Sequence, residues 1–115
     1  MRKTDKKIDN QIRESLTLVC DDALNQIEGF QWLTHTVNYS NFPSSLKIVG
    51  VFDTDTQLES FQASEQKQWF SALVSKRLNT INITFKNIDK HILFDTEQAC
   101  DLNSNGNWAR RLSTH

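Results

Sequence analysis

The segment Leu46-Lys47-Ile48-Val49-Gly50-Val51-Phe52-Asp53 limits this chain more than any other. In an extended backbone successive side chains alternate between faces. Leu46, Ile48, Gly50 and Phe52 therefore point one way, and Lys47, Val49, Val51 and Asp53 the other. Both sets are largely apolar, so the strand is expected inside a sheet that is covered on both sides for much of its length. Its β-branched and aromatic content favours strand over helix. Pro43-Ser44-Ser45 punctuates its start and Asp53-Thr54-Asp55-Thr56 its end.

The rest of the chain supplies what packs on that strand. Residues 4 to 28 read as an amphipathic helix, with Ile8, Ile12, Leu16, Val19, Cys20, Ala23 and Ile27 on one stripe about 120° wide. Thr4 is its expected N-cap, and Gly29 suits the turn after it. Its charges run against the helix dipole: Lys3, Lys6, Lys7 and Arg13 come early, Asp21, Asp22 and Glu28 late. Phe30 to Tyr39 reads as a strand, but neither of its alternating sets is uniformly apolar, so its core face stays open. The short connection over residues 40 to 45 fits an antiparallel hairpin with the central strand.

Beyond the central strand, Thr56-x-x-Glu59 matches a capping box. Leu58 and Phe61 are out of phase with Trp69, Phe70, Leu73 and Val74, which predicts a short helical piece and then a helix from about Ser64 to Leu78. Ile81, Ile83 and Phe85, then Ile92 and Phe94, read as a second hairpin around Asn87-Ile88-Asp89-Lys90. Asp95 is the expected cap of a short helix to about Leu102, and Trp108 and Leu112 would dock a short tail on the body. The order α-β-β-α-β-β-α predicts one α+β domain over residues 1–115, a largely antiparallel sheet of about four strands with two main helices packed on it.

Composition narrows the setting. The chain of 115 residues carries a net charge of -1, which argues against wholesale electrostatic binding of nucleic acid but leaves room for a local basic patch. The basic opening is followed by Asp9, Asn10, Arg13 and Glu14 and does not read as a signal peptide. No apolar run approaches the roughly 20 residues of a membrane helix. Cys20 and Cys100 show no Cys-x-x-Cys spacing and read as reduced thiols, so a cytoplasmic protein is expected.

Several groupings of residues suggest chemistry. Val51-Phe52-Asp53-Thr54-Asp55-Thr56-Gln57-Leu58 looks like the first motif of haloacid dehalogenase-type phosphotransferases. Thr56 stands where that motif has glycine, and no second Asp-Asp motif follows, so a capped strand end is the better reading. Asp53, Asp55 and Glu59 together would suit Mg²⁺ in a nuclease or phosphodiesterase, although a Glu-x-Lys pattern on a following strand is missing. Asp101, Asn103, Asn105 and Gly106 match half of an EF-hand loop, but Leu112 stands where its bidentate glutamate belongs. Cys20, Cys100, His35, His91 and His115 have no zinc-finger spacing, and Cys100, His35 and Asp53 form a thiol triad only on paper. Neither a metal nor a cofactor is expected.

For binding without chemistry, cations gather at Arg2, Lys3, Lys6 and Lys7, at Lys76-Arg77 and at Arg110-Arg111, and Trp32 or Trp108 would stack on bases if exposed. The two main helices are separated by a hairpin, so no helix-turn-helix is present. The opening Met1 to Ile8, Gly29-Phe30-Gln31-Trp32-Leu33-Thr34-His35, Val51-Phe52-Asp53-Thr54 and Gly106-Asn107-Trp108-Ala109-Arg110-Arg111-Leu112 resemble a group of small proteobacterial proteins. Some of these carry a Fis-type transcriptional regulator label, and the resemblance implies a bacterial cytoplasmic protein. The leading expectation is a non-enzymatic binding or regulatory module for a protein or nucleic-acid partner. Its binding residues would be Lys3, Lys6, Lys7, Arg13, Trp108, Arg110 and Arg111. A metal-dependent nuclease at Asp53, Asp55 and Glu59 comes second, and a homodimer through sheet edges third.

Overall fold

The computed structural model describes residues 2–114. Five helices, α1 (Lys3–Gln26), α2 (Asp55–Gln62), α3 (Gln66–Asn79), α4 (Glu97–Ser104) and α5 (Trp108–Leu112), surround three strands, β1 (Phe30–Thr36), β2 (Lys47–Phe52) and β3 (Ile92–Thr96). Single 3₁₀ turns lie at Tyr39–Asn41 and Ile88–His91. No helix among the described residues is long and apolar enough to cross a membrane.

β2 is the middle strand, antiparallel to β1 and parallel to β3. On one face Ile48 and Phe52 join Phe30 and Ile92 in a core completed by Ile12, Leu16 and Val19 of α1 and Phe70, Val74 and Leu78 of α3. Gly50 lies between them. A Cβ there would stand 3.2 Å from the Phe94 ring and 3.5 Å from that of Phe30, so glycine is what lets these rings close on the strand. On the other face Val49 and Val51 are also fully buried. The tail crosses this side. Arg111 of α5 bonds Asp95 of β3, and Trp108 meets Trp32 of β1. The central strand is thus covered on both faces, as its sequence requires.

The sheet differs from the expected four-strand antiparallel arrangement. Ile83 is buried and Ile81 and Phe85 pack on the core, which accounts for their alternation, but they belong to no strand. Asn82 takes a left-handed φ of 63°, and the Ile83 N–H bonds back to the Leu78 carbonyl, so the chain turns there instead of extending. α2 and α3 form a crossover that returns the chain to the start of β2, and β3 therefore runs parallel to it.

β1 explains its own mixed pattern. The register shifts between Phe30 and Trp32, with Phe30 opposite Phe52 and Trp32 opposite Val51, which leaves Gln31 as a β-bulge. After the bulge the phase changes, so Phe30, Leu33 and His35 share the α1 face although their numbers do not alternate.

The caps fall close to the expected positions but not on them. Arg2, not Thr4, precedes α1 and makes no side-chain cap bond. The capping box is formed by Thr54 and Gln57, not Thr56 and Glu59, with bonds of 3.2 and 3.1 Å, because α2 begins as soon as the strand ends. Gly29, at φ 85°, leaves room for the Gln57 side chain, whose Cδ would lie 2.4 Å from an added Cβ. Thr96, not Asp95, caps α4, accepting from the Ala99 N–H at 2.9 Å.

Candidate functional site

The acidic group Asp53, Asp55 and Glu59 lies where the parallel strands end. Part of it is committed to structure. The Thr96 hydroxyl donates to Asp55 Oδ1 at 2.6 Å, the Asp55 N–H donates to Gln98 Oε1 at 2.9 Å, and the Gln98 N–H donates to the Asp53 carbonyl at 3.0 Å. These bonds tie the starts of α2 and α4 together. Asp53 and Glu59 are exposed. Among the described residues no three His, Cys, Asp or Glu side chains are grouped to hold a metal ion.

The half EF-hand sequence forms a helix end. Asn105 (φ 51°) and Gly106 (φ 73°) are left-handed, and the Gly106 N–H donates to the Cys100 carbonyl at 3.1 Å, as in a Schellman-type cap. The paper triad does not assemble either. Cys100 is fully buried, and His35 sits opposite Ile48 at the far end of β2 from Asp53. His115 lies outside the described residues.

His35 instead meets Asp9, a carboxylate that the helical pattern gave no reason to single out. Asp9 points from α1 toward the end of β1, where it accepts bonds from His35 Nε2 at 2.9 Å, the Tyr39 hydroxyl at 2.7 Å and the Arg13 guanidinium. A cleft of about 490 Å³ opens beside it, lined also by Leu16, Thr17, Cys20 and Leu33. Burial raises the Asp9 pKa, but the His35, Tyr39 and Arg13 bonds outweigh it and lower it from 3.8 to about 2. Burial and then Asp9 push the Tyr39 hydroxyl up. Burial and then Asp21 raise the Cys20 thiol, so this cleft holds no activated thiolate.

A pH dependence follows. The folded carboxyl of Asp9 titrates below the unfolded one, so its contribution of about 2 kcal/mol is complete above the unfolded value and vanishes as pH falls through the folded one. Urea unfolding of wild type and Asp9→Asn should therefore differ most near neutrality, draw together below about pH 4 and converge only below about pH 2. A gap independent of pH would assign the loss to packing alone.

The expected binding residues divide into two groups. Arg13 is paired with Asp9. Arg111 forks onto both oxygens of Asp95, at 2.6 and 2.9 Å, and its Nη1 reaches Ser104 Oγ at 3.1 Å. Trp108 packs edge-on against Trp32 at 4.8 Å, and the two indole N–H groups grip Glu97 at 3.2 and 2.6 Å. Arg111 and Trp108 fasten the tail, and both indoles are half-buried. Arg110 remains exposed. Lys3, Lys6 and Lys7 are exposed and make no ion pair among the described residues.

The topology places those lysines with others. Asp9 ties the first half of α1 to the end where β1 finishes and β2 begins. Because β2 and β3 are parallel, the crossover must deliver Lys76 and Arg77, at the close of α3, and Lys86 and Lys90, before β3, to that same end. Asp5 pairs with Arg2 at 3.7 Å, and Asp89 accepts from the Ser71 hydroxyl at 2.8 Å and shares a cleft with Glu65 and Lys67 at the start of α3. The opposite end collects Asp21, Asp22, Glu28, Asp53, Asp55, Glu59 and Glu65, with Lys67. A net charge of -1 thus covers an uneven distribution along α1, with Lys3, Lys6 and Lys7 at its start and Asp21, Asp22 and Glu28 at or just past its end. Lys86 and Lys90 escaped sequence reading because they looked like ordinary hairpin-turn residues. Compared with known proteins, the chain matches no family model, no curated protein and no solved structure.

Proposed function

We propose that this chain is a non-catalytic binding module whose basic end holds an anionic partner, in a cytoplasmic and regulatory setting. The observation that carries the reading is that Lys3, Lys6 and Lys7 are exposed without an ion pair among the described residues, on the half of α1 that Asp9 ties to the end of β1 where β2 begins. A cluster of one sign concentrates counter-ions and attracts a polyanion even when the net charge is near zero. The resemblance to Fis-labelled proteins supplies the regulatory context.

The test is fluorescence anisotropy of labelled heparin at low and near-physiological salt. Binding should weaken steeply with salt, and Lys6→Glu with Lys7→Glu should weaken it by about tenfold or more, the loss expected when cations that displace counter-ions are reversed. An unchanged affinity would remove the basic end from the binding surface. A separate outcome favours the other reading: Mg²⁺-dependent cleavage of a nucleic-acid probe, lost in Asp53→Asn, would replace binding with hydrolysis at Asp53, Asp55 and Glu59.

A further inference from the structure

Two features have no part in the binding of an anion: the open edge of the sheet at β1, and the charge order of α1, which opposes its own dipole. β1 is an outer strand, and among the described residues no second strand pairs with its free side. Edges of this kind are usually kept single by charges or proline. From Phe30 to Thr36 the strand has neither. Its one blunting device, the bulge at Gln31, leaves Leu33 to Thr36 in regular register. The Leu33 backbone turns toward the Cys20 thiol, a weak hydrogen-bonding partner.

The cleft of about 490 Å³ runs along this edge, with Arg13, Thr17, Cys20 and Asp21 on its helix side and Leu33 and Thr34 on its strand side. Arg13 gives one nitrogen to Asp9, yet its side chain is 68% exposed, so its other N–H groups are open to a further acceptor. Asp21 is exposed and makes no ion pair among the described residues. The cation and the carboxylate stand on either side of Thr17, each about 6 Å from it along the helix axis.

We infer that the β1 edge pairs with the same edge of a second copy of this chain. A two-fold axis beside Thr17 and Thr34 sets the two β1 strands antiparallel in one continuous sheet. The same axis lays the two α1 helices side by side in opposite directions. Arg13 of each copy then comes opposite Asp21 of the other, so one operation makes two identical ion pairs, as a self-complementary interface requires. It also accounts for the charge order of α1. Cations early and carboxylates late are unfavourable within one helix, but they complement an antiparallel helix of the same sequence. The inference does not rest on the anionic-partner reading.

Sedimentation equilibrium of the full chain, at tens to hundreds of micromolar, should show a species of twice the chain mass that dissociates on dilution. Asp21→Arg should weaken it by about tenfold or more, and so should Arg13→Glu, because each sets like charges opposite one another. Mixed in equal amounts, the two variants should dimerise again, since each then meets its complement at both sites. Thr34→Lys places two lysines face to face across the axis and should prevent pairing through the strand. Circular dichroism checks that the variants fold. If Arg13→Glu, which also deprives Asp9 of a partner, does not fold, Asp21→Arg and Thr34→Lys carry the test. A monomer at every concentration overturns the inference and leaves the edge to a strand of another protein. A dimer that neither Asp21→Arg nor Thr34→Lys weakens, or a mixture of folded variants that stays monomeric, overturns it as well.

Discussion

Arg111→Met should lower the free energy of unfolding by about 3–5 kcal/mol, as expected when one partner of a buried ion pair is removed. The Asp95 side chain is 6% exposed and Arg111 19% exposed, so removing the guanidinium leaves a carboxylate in the sheet with little access to water. Arg111→Lys should recover only part of the loss, because a point charge cannot reproduce the forked contact with both Asp95 oxygens. Joining Arg111→Met to Asp95→Leu should restore most of it, since an apolar pair of similar volume often serves as well as a buried ion pair. Urea denaturation reads all three. A loss under about 1 kcal/mol for Arg111→Met would place the pair with surface salt bridges and leave Trp108 to fasten the tail.

Phe52→Ala should cost a similar amount, about 3–5 kcal/mol, for a different reason. Phe52 is fully buried at the centre of an aromatic group, with Phe61 at 4.9 Å, Phe30 at 5.6 Å and Phe94 at 6.3 Å between centroids. These rings come from α2, β1 and β3, and none moves into the vacated volume without breaking another contact. Phe52→Leu fills part of the space and should cost less. If Phe52→Ala cost only as much as an exposed substitution, the core would be plastic at this point. The denaturant midpoint should fall without a change in slope if the core remains specific.

What could be read from the sequence is what depends on neighbouring residues. The double-sided apolar run of β2 and the stripe of α1 each carry a full period of pattern, and both elements occur as expected. The break between Leu58–Phe61 and Trp69–Val74 is equally local, and the chain divides there into α2 and α3. The failures have physical causes of two kinds. In β1 the bulge at Gln31 changes the phase halfway, so no single alternation exists to be found. At Ile81, Ile83 and Phe85 burial in an irregular turn produces the period of a strand without its hydrogen bonds.

The candidate site was legible only in part, for the same reason. Lys3, Lys6 and Lys7 follow one another on a helix and stand out at once. Lys86 and Lys90 return toward the start of β2 only because the crossover makes β3 parallel to β2, and reading a hairpin there hid that path. Arg111 and Arg13 are indistinguishable in sequence from free cations. Their partners, Asp95 and Asp9, are distant along the chain or submerged in a helix pattern. Charge in a sequence shows supply. Pairing in the fold decides what is left for a ligand.

The separation of charge toward two ends also governs how the molecule arrives. Far from a polyanion its near-neutral total gives almost no attraction. Within about one Debye length, roughly 8–10 Å at physiological salt, the two ends feel opposite forces and the result is a torque. If the proposed binding role holds, the protein would turn before it touched, and an encounter would begin with the lysines of α1 toward the polyanion. In that orientation the side left outward would be that of Asp53, Asp55 and Glu59.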